Sequence, residues 1–333
     1  MDNCIGLDIS KSSISVHIPR NKLNIEIENT LLGMKKLYSK LKKIYKREYK
    51  ELVFIYEPTG NYSIPLIRFC NQKKIISFII NPQQFSNHAK ALGQRVKSDK
   101  IDAYVLSTAI HLAKKSDIKV PEYNQTTDEI KELMGYYKFT NKQRVQCSNH
   151  LESLKAKNST SYASKDLERR VKNLKDKEKK ILKQIKDIVD NNPKLKEGFE
   201  NITSMTGVGE IGGIVLLHLF TKYPNANQRE ITSLTGLDPI DKTSGTSIKT
   251  RSKISKAGSV VVRNTLFLGA LSAIRHDENF QIYFNRLKSN GKHTTLAQVA
   301  VMRKMIIIAH SLYKNNKKYD KEVYKKAAGL TDE

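Results

Sequence analysis

Two carboxylates three residues apart, Asp99 and Asp102, open an apolar-periodic run in the stretch Arg95-Val96-Lys97-Ser98-Asp99-Lys100-Ile101-Asp102-Ala103. Ser98 is a favoured helix N-cap, and Ile101, Val105, Leu106 and Ile110 follow it at helical spacing, which predicts a helix starting there. On that helix Asp99 and Asp102 share one face. Like charges that close repel unless a cation lies between them, and a hard divalent ion such as Mg²⁺ takes oxygen ligands from one or two carboxylates. Two solvated acids favoured by the helix macrodipole give the same pattern. Metal chemistry therefore needs more acids, and Asp8 and Glu57 are candidates, each near the end of a predicted strand. If those strands are neighbours and the helix crosses their ends, four carboxylates meet at one point, which neighbouring charge disfavours without a metal. Two Mg²⁺ ions ~4 Å apart activate a nucleophile and stabilise the leaving oxygen of a phosphodiester.

A second chemical region is residues 242–263, with six basic residues, no acidic ones and many hydroxyls. Within it, Thr243-Ser244-Gly245-Thr246-Ser247 places a serine before a glycine, suited to a loop tip. A serine needs activation to act as a nucleophile. Composition does not choose among Ser244, Ser247, Ser252 and Ser255, and a hydroxyl-rich loop that contacts phosphates reads the same way. Lys249, Arg251, Lys253, Lys256 and Arg263 of this run, with Lys97, are the candidate nucleic-acid contacts. Gly207-Val208-Gly209-Glu210-Ile211-Gly212 fits a dinucleotide-type GxGxxG, but no convincing strand precedes it. A Gly-x-Gly turn between two short apolar helices, of the helix-hairpin-helix kind, reads better.

These residues must be held by a framework. Cys4–Ile9, Ile14–Ile18 and Leu23–Ile27 read as three strands, and Thr30 caps a helix with Leu31, Met34, Leu37, Leu41 and Ile44 on one side. A strand over Glu51–Glu57, a helix from Tyr62 to Gln72, a strand over Ile75–Ile80 and a helix after Asn81-Pro82 complete a mixed α/β layer that closes near residue 115. Residues 126–190 almost lack Gly and Pro. There Leu167, Val171, Leu174, Ile181, Ile185 and Ile188 form a heptad seam with Glu178 as its polar interruption. Its partner is either the upstream helix or a second chain. From about residue 199 come further apolar helices, Val260–Ile274 and Leu296–Leu312 among them, and a Lys-rich tail after Tyr313 is expected to fray. The expected divisions are 1–120, 121–196 and 197–333.

The chain has 333 residues and a formal charge of +26, from 59 Lys and Arg against 33 Asp and Glu. Such an excess opposes compaction unless a polyanion neutralises it, so nucleic acid is the expected partner. With 39% hydrophobic residues the chain is no disordered polycation. No apolar run approaches membrane length and no signal peptide is read at the start, so no membrane is expected and the cytoplasm is the expected compartment. Cys4, Cys70 and Cys147 are odd in number, far apart and beside apolar segments, which predicts buried free thiols.

Taken together, Gly6-Leu7-Asp8-Ile9-Ser10, Glu57-Pro58-Thr59-Gly60 and Lys97-Ser98-Asp99-Lys100-Ile101-Asp102-Ala103 resemble the DEDD transposases of insertion sequence family 110. Thr206-Gly207-Val208-Gly209, Gly236-Leu237-Asp238-Pro239, Ser244-Gly245 and Ile254-Ser255-Lys256-Ala257-Gly258 with Arg263 extend the resemblance over nearly the whole chain. Ser98, Thr206 and Val262 stand where the family usually has Thr, Pro and Leu. The resemblance implies an N-terminal RuvC-like domain of the ribonuclease H fold, a coiled-coil middle and a mostly helical C-terminal transposase domain. It implies Asp8, Glu57, Asp99 and Asp102 as a Mg²⁺-binding tetrad and Ser244 as the nucleophile. It also implies donor and target DNA, a structured bridge RNA and a homo-oligomer, dimer or tetramer, as partners. The alternative is a RuvC-like metal-dependent nuclease that hydrolyses branched DNA with water.

Overall fold

The computed structural model describes residues 2–93, 98–158, 161–240, 243–244, 248–249 and 253–327, with the backbone alone for residues 243, 244, 248, 249, 326 and 327. The chain divides into two compact units, Met1–Asn124 and Gln125–Glu333.

The first unit is a six-stranded mixed sheet with helices on both faces. Its elements are β1 (Cys4–Ile9), β2 (Ser13–Ile18), β3 (Leu23–Glu28), α1 (Leu31–Tyr45), β4 (Val53–Tyr56), α2 (Ile64–Lys73), β5 (Ile76–Ile79), α3 (Pro82–Ala91), α4 (Asp99–Thr108) and β6 (Ile118–Lys119). The strand order is β3-β2-β1-β4-β5-β6. β1, β2 and β3 pair antiparallel, β1, β4 and β5 pair parallel, and β6 returns antiparallel at the edge. Alternation along β1 divides its side chains. Ile5, Leu7 and Ile9 join Met34, Leu37 and Leu41 of α1 and Leu66 and Phe69 of α2 in one core. Cys4 lies on the other face, in a smaller core with Ile55, Phe78, Leu106 and Ala109. β6 was not expected, since two residues carry no periodic signal.

The second unit is helical. A long hairpin, α5 (Gln125–Ala156) and α6 (Tyr162–Asp190), leads into α7 (Pro193–Thr203), α8 (Glu210–Lys222) and α9 (Gln228–Thr235). Four two-residue strands follow, β7 (Pro239–Ile240), β8 (Thr243–Ser244), β9 (Ile248–Lys249) and β10 (Lys253–Ile254). The chain then forms α10 (Val260–His276), α11 (Glu278–Ser289), α12 (Thr294–Asn315) and α13 (Lys321–Ala327).

The α6 seam packs on α5 of the same chain. Its polar interruption has a partner there: Arg144 Nε donates to Glu178 Oε1 at 2.7 Å, and Asn141 donates to the same oxygen. Ile181 and Ile185 of the seam, with Val189 just past its last member Ile188, share one core with Ile202, Leu216, Phe220 and Met305 of the following helices. Among the described residues α12 is the one helix long and apolar enough to cross a membrane, yet Val301, Met305, Ile306 and Ala309 are wholly buried, which makes it the core helix of this unit.

The tail after Tyr313 departs from expectation. As far as residue 327 it folds back: Tyr319, just before α13, stacks on Phe280 and on Tyr324 and its backbone N–H donates to Ser204 Oγ. Aromatic burial among the lysines outweighs fraying. Cys4 and Cys70 are buried free thiols, and burial pushes Cys70 up to about 12; Cys147 is half-buried instead.

Candidate active site and nucleic-acid interface

The registers of β1 and β4 set the first two acids. Gly6 pairs with Ile55 and Leu7 with Tyr56, so one further residue brings Asp8 beside Glu57 at the ends of two parallel central strands. Alternation puts both on the face opposite the α1 core, together with Gly6 and Ile55. That face carries α4. Ser98 caps it as expected, its Oγ accepting from the Ile101 N–H at 3.4 Å, with Asp99 and Asp102 in the first turn. α4 approaches β1 so closely at Gly6 that a Cβ there would lie 1.9 Å from the Ala103 carbonyl oxygen and 2.6 Å from the Ser107 nitrogen. Tyr104 meets His17 of β2 edge-on, with ring centroids 5.1 Å apart. In the sequence Gly6 reads only as part of a motif; its role is the lack of a side chain where helix meets strand.

Asp8, Glu57 and Asp102 are half-buried and Asp99 is exposed. Among the described residues no three Asp, Glu, His or Cys side chains are grouped closely enough to hold a metal ion. The fold thus gathers the elements that carry the acids without closing the carboxylates on one point. The donor set itself, four carboxylates on one side of the sheet, is of the oxygen type that suits a hard divalent cation.

In the second unit two motifs far apart in sequence form one module. β7, in the Gly236–Pro239 turn, pairs antiparallel with β10. Ser255 N–H donates to the Asp238 carbonyl, Ser255 Oγ donates to the Asp238 carboxylate, and Lys256 N–H donates to the Gly236 carbonyl. Inside this pair a second pair is nested: Thr243 lies opposite Lys249 and Ser244 opposite Ile248. Ser244 is therefore the last strand residue before the intervening residues 245–247. Of the four candidate serines, Ser255 has its hydroxyl committed to the turn, while Ser247 and Ser252 lie outside the described residues.

The candidate nucleic-acid contacts separate in the same way. Lys253 and Lys256 are exposed, and Lys256 turns the chain with φ 54°. Lys97 and Arg251 lie outside the described residues, and Lys249 is described by its backbone alone. Arg263 has structural work: its Nη1 donates to the Thr235 carbonyl at 2.9 Å and to the Gly258 carbonyl at 2.8 Å. It pins the end of α9 to the turn that enters α10.

The Gly-x-Gly turn joins α7 to α8, as a helix-turn-helix and not a dinucleotide loop. Gly207 has φ 89°, and a Cβ there would lie 2.3 Å from the Gly269 carbonyl oxygen on α10. Close backbone packing accounts for this glycine.

With this geometry in view, comparison with known proteins decides the family. A model of the DEDD transposases of IS110 type matches residues 5–155, and one described as "Transposase IS116/IS110/IS902 family" matches residues 199–285. The chain belongs to the IS110 family of transposases. The first match spans the strands and helix that carry the four acids, and the second spans the nested strands and the Arg263 pin. Among the relatives, a pilin gene-inverting protein of Moraxella bovis is 24% identical over 96% of this chain and 98% of its own length. Its Moraxella lacunata counterpart is 24% identical over 82% and 83%. An IS110 insertion-element protein of Streptomyces coelicolor, described as uncharacterized, is 30% identical over 36% of this chain and 29% of its own. The protein is thus a DNA transposase or recombinase, an enzyme that binds DNA and depends on a divalent metal.

Proposed function

We propose that this transposase cuts, exchanges and rejoins the DNA strands of an insertion sequence in the cytoplasm, guided by a structured bridge RNA. In this reading Asp8, Glu57, Asp99 and Asp102 hold Mg²⁺ and Ser244 is the nucleophile. The observation that carries it is the parallel register of β1 and β4, whose last pair, Leu7 with Tyr56, is followed directly by Asp8 and Glu57, on the face crossed by the helix of Asp99 and Asp102. Bound Mg²⁺ would supply charge stabilisation to the phosphorus centre as it becomes five-coordinate.

The chain's own residues do the rest. Ser244 Oγ attacks a backbone phosphorus; the Oγ–P bond forms, the P–O3′ bond breaks, and the serine proton ends on the leaving 3′-oxygen. The resulting phosphoserine ester conserves the bond energy. A 3′-hydroxyl of the exchanged strand then attacks it and returns the proton to Ser244. Lys253 and Lys256 flank the nested strands as exposed cations suited to backbone phosphates, with Lys97, Lys249 and Arg251 assigned the same role. Arg263 acts as a positioning residue for this segment. The name of the Moraxella relatives, inversion of a pilin gene, is a strand exchange of the same class. Strand exchange needs at least two active centres, so we assign the working form to a homo-oligomer, dimer or tetramer.

The metal arm is tested by Asp8→Asn, Glu57→Gln, Asp99→Asn and Asp102→Asn. Each variant is expected to lose recombination together with Mg²⁺ affinity measured by calorimetry. Wild-type recombination by any two of them would overturn the shared site.

A further inference from the structure

We propose that a cleft between α5, α8 and α10 receives one unstacked nucleotide of the strand on which this transposase acts. The cleft has a volume of about 920 Å³, within the size of small-ligand sites. α5 contributes Lys131, Met134, Gly135, Lys138 and Asn141, which recur at helical spacing on one face. α8 contributes Val215, His218, Leu219 and Lys222, and α10 contributes Val261 and Asn264. The lining combines apolar side chains with Tyr137 and Tyr223, three lysines, and no acidic residue among its described members. An apolar slot fits the flat face of a base, and the lysines fit its phosphates.

Two further observations point to a ligand. Gly135 is the one glycine in the 32 residues of α5. A helix-interior glycine is unfavourable relative to alanine, and among the described residues no atom outside its own helix backbone and chain neighbours lies within 4 Å of the Cβ it lacks. Packing within the protein does not explain it; room kept in the cleft does. The second is His218. Its side chain lines the cleft, and its Nδ1 is buried with no hydrogen-bond partner among the described residues. Burial and the nearby Lys222 and Lys131 push the imidazole down to about 4, so the ring is neutral and can donate from one nitrogen and accept at the other.

The cleft also touches the catalytic module. Ala257, Gly258 and Ser259, which follow β10, form part of its wall. A nucleotide held here fixes the strand relative to the segment that carries Ser244. The proposal rests on the protein acting on nucleic acid but is independent of which residue attacks.

The test uses full-length protein with single-stranded DNA and RNA oligonucleotides, each carrying one 5-iodouracil. After irradiation, wild-type cross-links to the DNA are expected in residues 131–141 or 211–223; cross-links there from RNA alone would overturn the assignment to the strand that is cut. Gly135→Phe fills the cleft; it should keep the wild-type thermal transition, weaken binding by about tenfold and lose those cross-links. Gly135→Ala adds only a methyl and should behave as wild type. If Gly135→Phe fails to fold, Lys138→Glu, at an exposed position, should weaken binding and cross-linking together. Oligonucleotides that bind tightly yet cross-link only elsewhere, with Gly135→Phe binding as wild type, would overturn the cleft and leave the family's DNA binding intact. Failure of wild type to bind any oligonucleotide would overturn both.

Discussion

Gly6 of β1 and Ala103 of α4 pack backbone to backbone: a Cβ on Gly6 would come within 1.9 Å of the Ala103 carbonyl oxygen. This contact sets how deeply the helix of Asp99 and Asp102 sits over the strand of Asp8. Gly6→Ala must push α4 off the sheet. Overpacking of this kind costs about 1–3 kcal/mol, which a denaturation midpoint would record. A larger loss is expected in recombination, because the acids move relative to one another. A Gly6→Ala variant with both wild-type stability and wild-type recombination would show that α4 does not need this approach.

Arg263 bridges the Thr235 carbonyl, at the end of α9, and the Gly258 carbonyl, in the turn that enters α10. Arg263→Ala removes two charge-assisted bonds and is expected to cost about 1–3 kcal/mol. Arg263→Lys should recover little, because a single ammonium lacks the planar fork that reaches both carbonyls. If Arg263 served only as a phosphate contact, Arg263→Ala would keep full stability and flatten the salt dependence of DNA binding instead.

His218 gives the fold an acid-side weakness. Burial first, then Lys222 and Lys131, lowers its folded-state value from 6.5 to about 4, against a small opposing pull from Asp128. The folded state therefore binds fewer protons than the unfolded one below pH 6.5. The stability contribution is complete above that pH and is lost as the pH falls toward 4. Between pH 7 and pH 5 the loss is about 2 kcal/mol. Urea unfolding at both values, on wild type and His218→Gln, is expected to show this loss in wild type alone. An equal loss in both would remove His218 as its source.

Most of the fold was legible in the sequence because its signals are local. Strand alternation in Leu23–Ile27, the Thr30 and Ser98 caps and the Pro82 stop each depend on a few adjacent residues, and the elements lie where those signals put them to within a residue. The partner of Glu178 was not legible, since Arg144 is 34 residues away and only tertiary packing brings it there. The pairing of Gly236–Pro239 with Lys253–Ser255 is nonlocal in the same way, and it turned a candidate nucleophile, Ser255, into a turn former. Arg263 looked like one more cation in a basic run because composition cannot distinguish a guanidinium that meets phosphate from one that meets carbonyls. Of the site, the sequence named the acids, but the register that sets Asp8 beside Glu57 belongs to the sheet.

The central claim is that DNA is cut by attachment to Ser244 and not by water. Wild-type protein is incubated with Mg²⁺, the cognate RNA and labelled donor DNA, then denatured, digested and mapped by mass spectrometry. The account predicts a phosphodiester adduct on the peptide that contains Ser244, absent from Ser244→Ala, which should still fold and bind RNA. Cleavage by Ser244→Ala at the wild-type rate, with free 5′-phosphate ends and no adduct in wild type, would contradict it and identify the protein as a water-using metal nuclease.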